Sequence, residues 1–219
     1  MLIKVPENLS EITIEQFIKY NRIINLPDLE ENSKMIFIVS LFCNIDVAKI
    51  GILEISKVRN IANQLIEVLN SEPRQIFEFG KFGFIPNFDT ISASEYIDID
   101  TYIYDIELAN KAMAVLFRPI EKKMNGMRQI EKYKGSDVYA QEMLNAPLEA
   151  YLSAKVFFWN LSKALLTSTK QYFLEQTTQT QELQMALVKS GSGMHQFIQL
   201  LEEAFLNLEK QLNYQFTSF

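Results

Sequence analysis

Leu148-Glu-Ala-Tyr-Leu-Ser-Ala-Lys-Val-Phe-Phe-Trp-Asn-Leu-Ser-Lys-Ala-Leu-Leu-Thr-Ser-Thr-Lys-Gln-Tyr-Phe-Leu174 is the longest stretch of this chain that reads as one helix. Tyr151, Ala154, Phe158, Leu161 and Leu165 recur on one side, and Leu152, Trp159, Leu166 and Phe173 cover much of the rest. A helix apolar around its circumference is usually central and buried. Pro147 suits its first turn, where a missing N–H is not needed. Lys155 and Lys163 interrupt the run before it reaches the ~20 apolar residues that span a bilayer. The stretch predicts a mainly α protein built around a buried helix.

Upstream the pattern stays helical. Thr13-Ile-Glu-Gln16 fits a capping box, and the helix it opens stops before Pro27. Asn32 or Ser33 can cap a second helix through about residue 43. A third, about 56–69, carries Val58, Ile61, Leu65, Val68 and Leu69 at helical spacing. Ile76-Phe-Glu-Phe-Gly-Lys-Phe-Gly-Phe-Ile-Pro86 then alternates apolar and polar residues around Gly80 and Gly83, which predicts a small β-hairpin. A lone hairpin is marginal in water, so it must pack on helices or pair with residues 2–5. Ser92-Ala-Ser-Glu95 is a second capping box, and a further helix, about 107–117, ends at Arg118-Pro119. Residues 120–135 read as a basic loop, with one turn of helix at most. Ser136 can cap a helix to Asn145.

Downstream, residues 171–184 are rich in Gln and Thr, and Gly191-Ser-Gly193 is a break. Met194, Ile198, Leu201, Phe205, Leu208 and Leu212 then recur at spacings of 4, 3, 4, 3 and 4, an a/d seam. Gln199, Glu202, Glu203, Glu209 and Lys210 occupy much of the opposite face. The expected organisation is a multi-helix globular domain, 1–175, with the hairpin at 76–86. A polar linker and C-terminal amphipathic helix, 176–219, would follow. The seam serves either the chain's own core or a partner helix.

Twenty-seven acids against 21 bases give 219 residues a net charge of −6. The imbalance is local. Glu78–Glu107 holds seven acids and only Lys81, whereas Arg118–Lys134 holds six bases against Glu121 and Glu131. An acidic total disfavours nucleic-acid binding, which needs clustered Lys and Arg, although Tyr133 beside the basic stretch could stack on a base. An acidic face meeting a basic loop on a neighbouring subunit would set register. Cys43 is the only cysteine, so no internal disulfide forms and a reducing compartment is expected. The N-terminus lacks the basic and apolar regions of a signal peptide, which predicts a soluble cytoplasmic protein.

Little here points to chemistry. Asp98-Ile-Asp100, with Glu95 and Asp105, is the one acidic cluster that could hold a divalent cation. A calcium loop needs more ligands at fixed spacing and a central Gly, which Tyr102 and Ile103 do not supply. His195 has no second His or Cys to share a metal. No nucleophile elbow is present, and Gly80-Lys-Phe-Gly83 lacks the spacing of a phosphate loop. No catalytic, cofactor-binding or metal-ligating residue is assigned, and the chain is expected not to be an enzyme.

Phe82-Gly-Phe-Ile-Pro-Asn-Phe88, Glu95-Tyr-Ile-Asp98, Lys111-Ala-Met-Ala-Val-Leu-Phe-Arg-Pro-Ile120 and Phe157-Phe-Trp-Asn-Leu161 carry a resemblance. Over about 75–165 the chain resembles structural-region proteins of tailed bacteriophages of Bacteroidetes, crAss-like phages and related marine phages among them. The resemblance implies a morphogenesis protein with no catalytic residues, either a virion component or a tail-assembly chaperone. It would act in the host cytoplasm during assembly or in the virion. Its partners would be other phage structural or assembly proteins and further copies of itself, without membrane or nucleic acid. The expected contacts are the seam, Met194 to Leu212, and Phe82 and Phe84 of the hairpin. The alternatives are a metal-dependent enzyme or factor using Glu95–Asp105, or a nucleic-acid-binding accessory.

Overall fold

The computed structural model describes residues 3–85, 91–124 and 127–158, together with 160, 167, 168 and 171; for 122–124, 127 and 128 it describes the backbone alone. Helix α1, Ile14–Ile24, opens on the expected capping box. The Gln16 N–H donates to Thr13 Oγ1 at 3.2 Å, and the Thr13 N–H donates to Gln16 Oε1 at 3.0 Å. Two of the orphan donors of the first turn are thereby satisfied. The Gln16 amide also donates to the Leu41 carbonyl of α2, Glu31–Cys43, so one side chain caps one helix and docks it on the next. Helix α2 begins at Glu30 with no side-chain cap, earlier than Asn32 or Ser33. It ends where Asn44 turns left-handed at φ 52° and donates to the Ser40 carbonyl.

A short helix α3, Val47–Gly51, is capped by Asp46, and α4, Ile55–Leu69, follows. Val58, Ala62, Leu65, Ile66 and Leu69 of α4 are buried, and α4 packs on α2 as α2 packs on α1. The Val, Leu and Ile side chains among them each contribute about 1.5–3 kcal/mol by leaving water. Cys43 lies in this core, and burial pushes its thiol up to about 11, the property of a packing residue rather than a nucleophile.

The hairpin is present as β1, Glu78–Phe79, and β2, Phe82–Phe84, turned at Gly80, whose φ of 52° favours glycine. It does not pair with the N-terminal residues. Its third strand is β3, Phe117–Met124, which pairs antiparallel with β2, and β4, Met127–Ile130, pairs antiparallel with β3. The basic segment expected to be a loop is therefore half of a four-stranded antiparallel sheet. Pro119 sits opposite Phe82 without breaking the ladder. The bridging bonds fall beside it, from the Ile120 N–H to the Lys81 carbonyl and from the Ile85 N–H to the Leu116 carbonyl. A bulge between Ile120 and Lys122 inserts Glu121 as the extra residue.

Gly83 leaves no room for a side chain in the sheet. A Cβ there would stand 2.9 Å from Ile120 Cγ1 and 3.4 Å from Ile130 Cδ1. Gly83→Ala is expected to cost about 1–3 kcal/mol in urea unfolding, through overpacking. Gly51→Ala is its control, since a Cβ at Gly51 meets nothing within 4 Å, and it is expected to leave stability unchanged or slightly raised.

Helix α5, Ala93–Tyr102, starts at the second capping box, and α6, Ala109–Leu116, follows a 3₁₀ turn at Ile106–Leu108. Ala109, Ala112, Met113, Ala114, Val115 and Leu116 are all buried, so α6 is central in this core. It passes without a loop into β3, the backbone turning extended at Phe117. Helix α7, Asp137–Met143, packs on α6 and starts at Ser136, which is helical and makes no side-chain cap. The last described helix, α8, covers 148–158, where Leu148, Ala150, Tyr151 and Ala154 are buried as expected.

The protein is mainly α with a small antiparallel sheet. Residues 3–154 belong to one compact unit and Lys155–Tyr214 to a second. The expected boundary at 175/176 lies outside the described residues, as does the expected C-terminal helix. Among the described residues, no helix is long and apolar enough to cross a membrane.

Candidate functional site

The acidic and basic segments meet within one chain, on the inner face of α5. Its capping box places Glu95 at the third helical position, and one carboxylate oxygen, Oε2, accepts from the Ser92 N–H and hydroxyl, both at 2.6 Å. The other oxygen, Oε1, lies 2.6 Å from Arg118 Nη2 at the start of β3. Both side chains are buried, at 7% and 9% exposure. The Arg118 guanidinium lies 5.6 Å from the Tyr133 ring centroid, in cation–π geometry. The Tyr133 hydroxyl in turn donates to Asp98, one turn beyond Glu95 on the same helix. The network leaves α5 at one carboxylate and returns to it at another.

Burial pulls the Arg118 pKa down against the opposing pull of Glu95, and burial followed by Asp98 holds the Tyr133 phenol above its ordinary value. The Arg118 Nε–H, also buried, has no hydrogen-bond partner. Buried ion pairs of this kind contribute little net stability beside an apolar substitute, but breaking one is costly. They fix which surfaces meet.

Glu95 is therefore not part of a solvated acidic surface, and both its carboxylate oxygens are engaged within the chain. Asp98 holds Tyr133, and Asp105 accepts from the Glu107 N–H at 2.9 Å. Glu107 itself pairs with Arg22 of α1. Among the described residues, no group of three His, Cys, Asp or Glu side chains is placed to hold a metal ion.

Phe82 and Phe84, expected as contacts, are buried within the chain. They are 6% and 3% exposed, with Phe82 edge-on to Tyr139 and Phe84 5.0 Å from the Phe117 ring. Two residues apart on β2, they share one face of the sheet, which would meet water if the hairpin stood alone. Here β3 on one edge and α7 beside it cover both. Met194, Ile198, Leu201, Phe205, Leu208, Leu212 and His195 lie outside the described residues.

The outward apolar residues are elsewhere. Tyr96, Ile97 and Tyr104 are 56%, 60% and 46% exposed, and Asp100 and Thr101 lie between them on the outer face of α5. The buried side of the helix sets Glu95 beside Ile99, with Asp98 half-buried, while Tyr96 and Ile97 stand in water. The sequence carried a signal for this. Tyr96, Ile97, Asp100 and Thr101 recur at i, i+1, i+4 and i+5, which is one helical face, and Tyr104 follows in the turn after the helix. A second exposed apolar group, Val47, Ile52 and Ile55, lies at the α3–α4 corner.

An open cleft of about 1080 Å³ lies between the N-terminal segment from Ile3 and the end of α4, with Glu149 and Arg74 in its lining. Arg74 donates to Glu149 through its backbone N–H, Nε and Nη2, at 3.1, 2.8 and 3.1 Å. These bonds hold the Glu149 carboxyl below its usual range. Its depressed folded-state pKa means this contribution is present above the unfolded value of about 4.3 and disappears as pH falls through the folded one. Wild type is expected to lose more stability than Glu149→Gln between pH 6 and pH 3 in urea titrations.

Comparison with protein-family models, curated proteins and solved structures gives no match.

Proposed function

We propose that this chain is a non-enzymatic bacteriophage morphogenesis protein that works through protein–protein contacts, as a virion component or a tail-assembly chaperone. The observation that carries the reading is α5, which ties Glu95 and Asp98 into the chain and exposes Tyr96 and Ile97. Glu95 and Asp98, two of the four carboxylates that a metal-dependent factor would use, are engaged inside the chain by Ser92, Arg118 and Tyr133. The side chains offered to solvent are those that interfaces favour, tyrosines and an isoleucine. The resemblance of 75–165 to phage structural-region proteins supplies the biological setting.

Two measurements test it. The protein is expected in lysates of infected cells bound to phage structural proteins, and mass spectrometry of purified particles separates a virion component from a chaperone. Calorimetry with calcium, magnesium and manganese is expected to show no tight binding. Tight binding abolished by Asp98→Asn and Asp100→Asn would reject the reading in favour of a metal-dependent factor. Salt-sensitive binding to DNA would reject it in favour of a nucleic-acid accessory.

A further inference from the structure

The outer face of α5 has a complementary surface in the same sequence. Tyr96, Ile97 and Tyr104 surround Asp100, and Asp105 follows a residue later. These groups are close enough to sense one another, since the Tyr104 phenol is raised by partial burial and by Asp100 and Tyr96. An aromatic, acidic face of this kind suits a basic partner, whose cations can sit over the rings and pair with the carboxylates. The ribbon β3–β4 is basic along its paired rungs, with Lys122 opposite Gln129 and Lys123 opposite Arg128.

Within one chain that ribbon is tied to the other side of the helix. Arg118 at its start and Tyr133 just beyond its end both engage the inner face of α5, at Glu95 and Asp98. Neither of these two contacts uses the outer face, where Tyr96, Ile97 and Asp100 are exposed. Building on the contact-based function above, we infer that the outer face of α5 binds the β3–β4 ribbon of a second copy of this chain. Because face and ribbon are different surfaces, each copy offers one of each. The contact either closes reciprocally into a dimer or continues head to tail into a ring or filament.

Sedimentation and light scattering of the full chain test this. Wild type is expected to self-associate, more weakly as salt is raised, because the contact joins opposite charges. The triple variant Tyr96→Ser, Ile97→Ser, Tyr104→Ser is expected to weaken association about 100-fold or more, as loss of an aromatic interface centre does. Lys123→Glu with Arg128→Glu should weaken it similarly, and Asp100→Lys about tenfold. Circular dichroism melts check that each variant folds.

Mixing is the decisive arm. The Asp100→Lys chain keeps a native ribbon, and the Lys123→Glu, Arg128→Glu chain keeps a native face. Each alone should associate poorly, and the two together should recover association. A wild type that remains monomeric well above micromolar concentration overturns the inference, as does an oligomer that the α5 variants leave intact. Sensitivity to the α5 variants but not to the ribbon variants also overturns it, by making the occupant another molecule. None of these three results touches the proposed function, which fails separately on tight metal binding or on DNA binding.

Discussion

Glu95→Ala is expected to lower the unfolding free energy by about 3–5 kcal/mol, the scale for removing one partner of a buried ion pair. Two losses coincide at this residue. The helix α5 loses the acceptor for the Ser92 N–H, and Arg118 keeps its charge in a site where its Nε–H already lacks a partner. Most of the effect is the penalty on the arginine left behind, not the worth of the bridge, and this makes a sharper expectation. Glu95→Leu combined with Arg118→Met should recover most of the lost stability, because neither charge then remains buried. Urea unfolding of the single and double variants checks both. A single variant within 1 kcal/mol of wild type, or a double variant as unstable as the single, would show that the pair is hydrated.

Phe117→Ala is expected to cost about 3–5 kcal/mol, the range for truncating a buried aromatic side chain. Phe117 is fully buried at the junction of α6 and β3, with ring centroids 4.9 Å from Phe79 and 5.0 Å from Phe84. It closes the aromatic layer of the sheet and anchors the strand that the hairpin needs. Near-UV circular dichroism should fall with stability, since the rings lose their fixed packing. Tyr96→Ala on the exposed face is the contrast, with a change within about 0.5 kcal/mol.

How far the sequence could be read depended on whether the signal was local. Both capping boxes, at Thr13 and Ser92, follow from residues three apart, and both form. Helix α4 follows from the spacing of Val58, Leu65 and Leu69, and the hairpin from alternation around Gly80. Pro119 correctly ends the helical pattern near Phe117. What followed was missed because Lys122, Lys123 and Arg128 look like loop composition. The better signal was Asn125-Gly126, the dipeptide that favours two-residue hairpins, and the pairing of Met124 with Met127 leaves those two residues between the strands.

The polar network was illegible for a different reason. Arg118 and Glu95 are 23 residues apart, and no local rule joins them. The imbalance between two neighbouring segments showed that opposite charges would meet. It did not show that Glu95 would meet Arg118, and Asp98 the Tyr133 hydroxyl, within the chain while Asp100 stayed exposed. An arginine set in the apolar run from Ala112 to Ile120 was the available clue, since a buried guanidinium needs an acid.

The bridge between Thr13 and Pro147 also governs how the chain must be made. The N–H groups of Ile14 and Glu15 donate to the carbonyls of Ala146 and Leu144, and the Leu148 N–H donates to the Ile12 carbonyl. The first helix is sealed by residues synthesised ~130 positions later, an interval on the order of ten seconds at ribosomal rates of about 5–20 residues per second. Through that time α1 has its capping box but not its final seat, and Ile14, Phe17 and Ile18 must be covered by α2 or by a chaperone. A nascent chain halted before Leu144 would hold the helices of the core with its entrance unlatched.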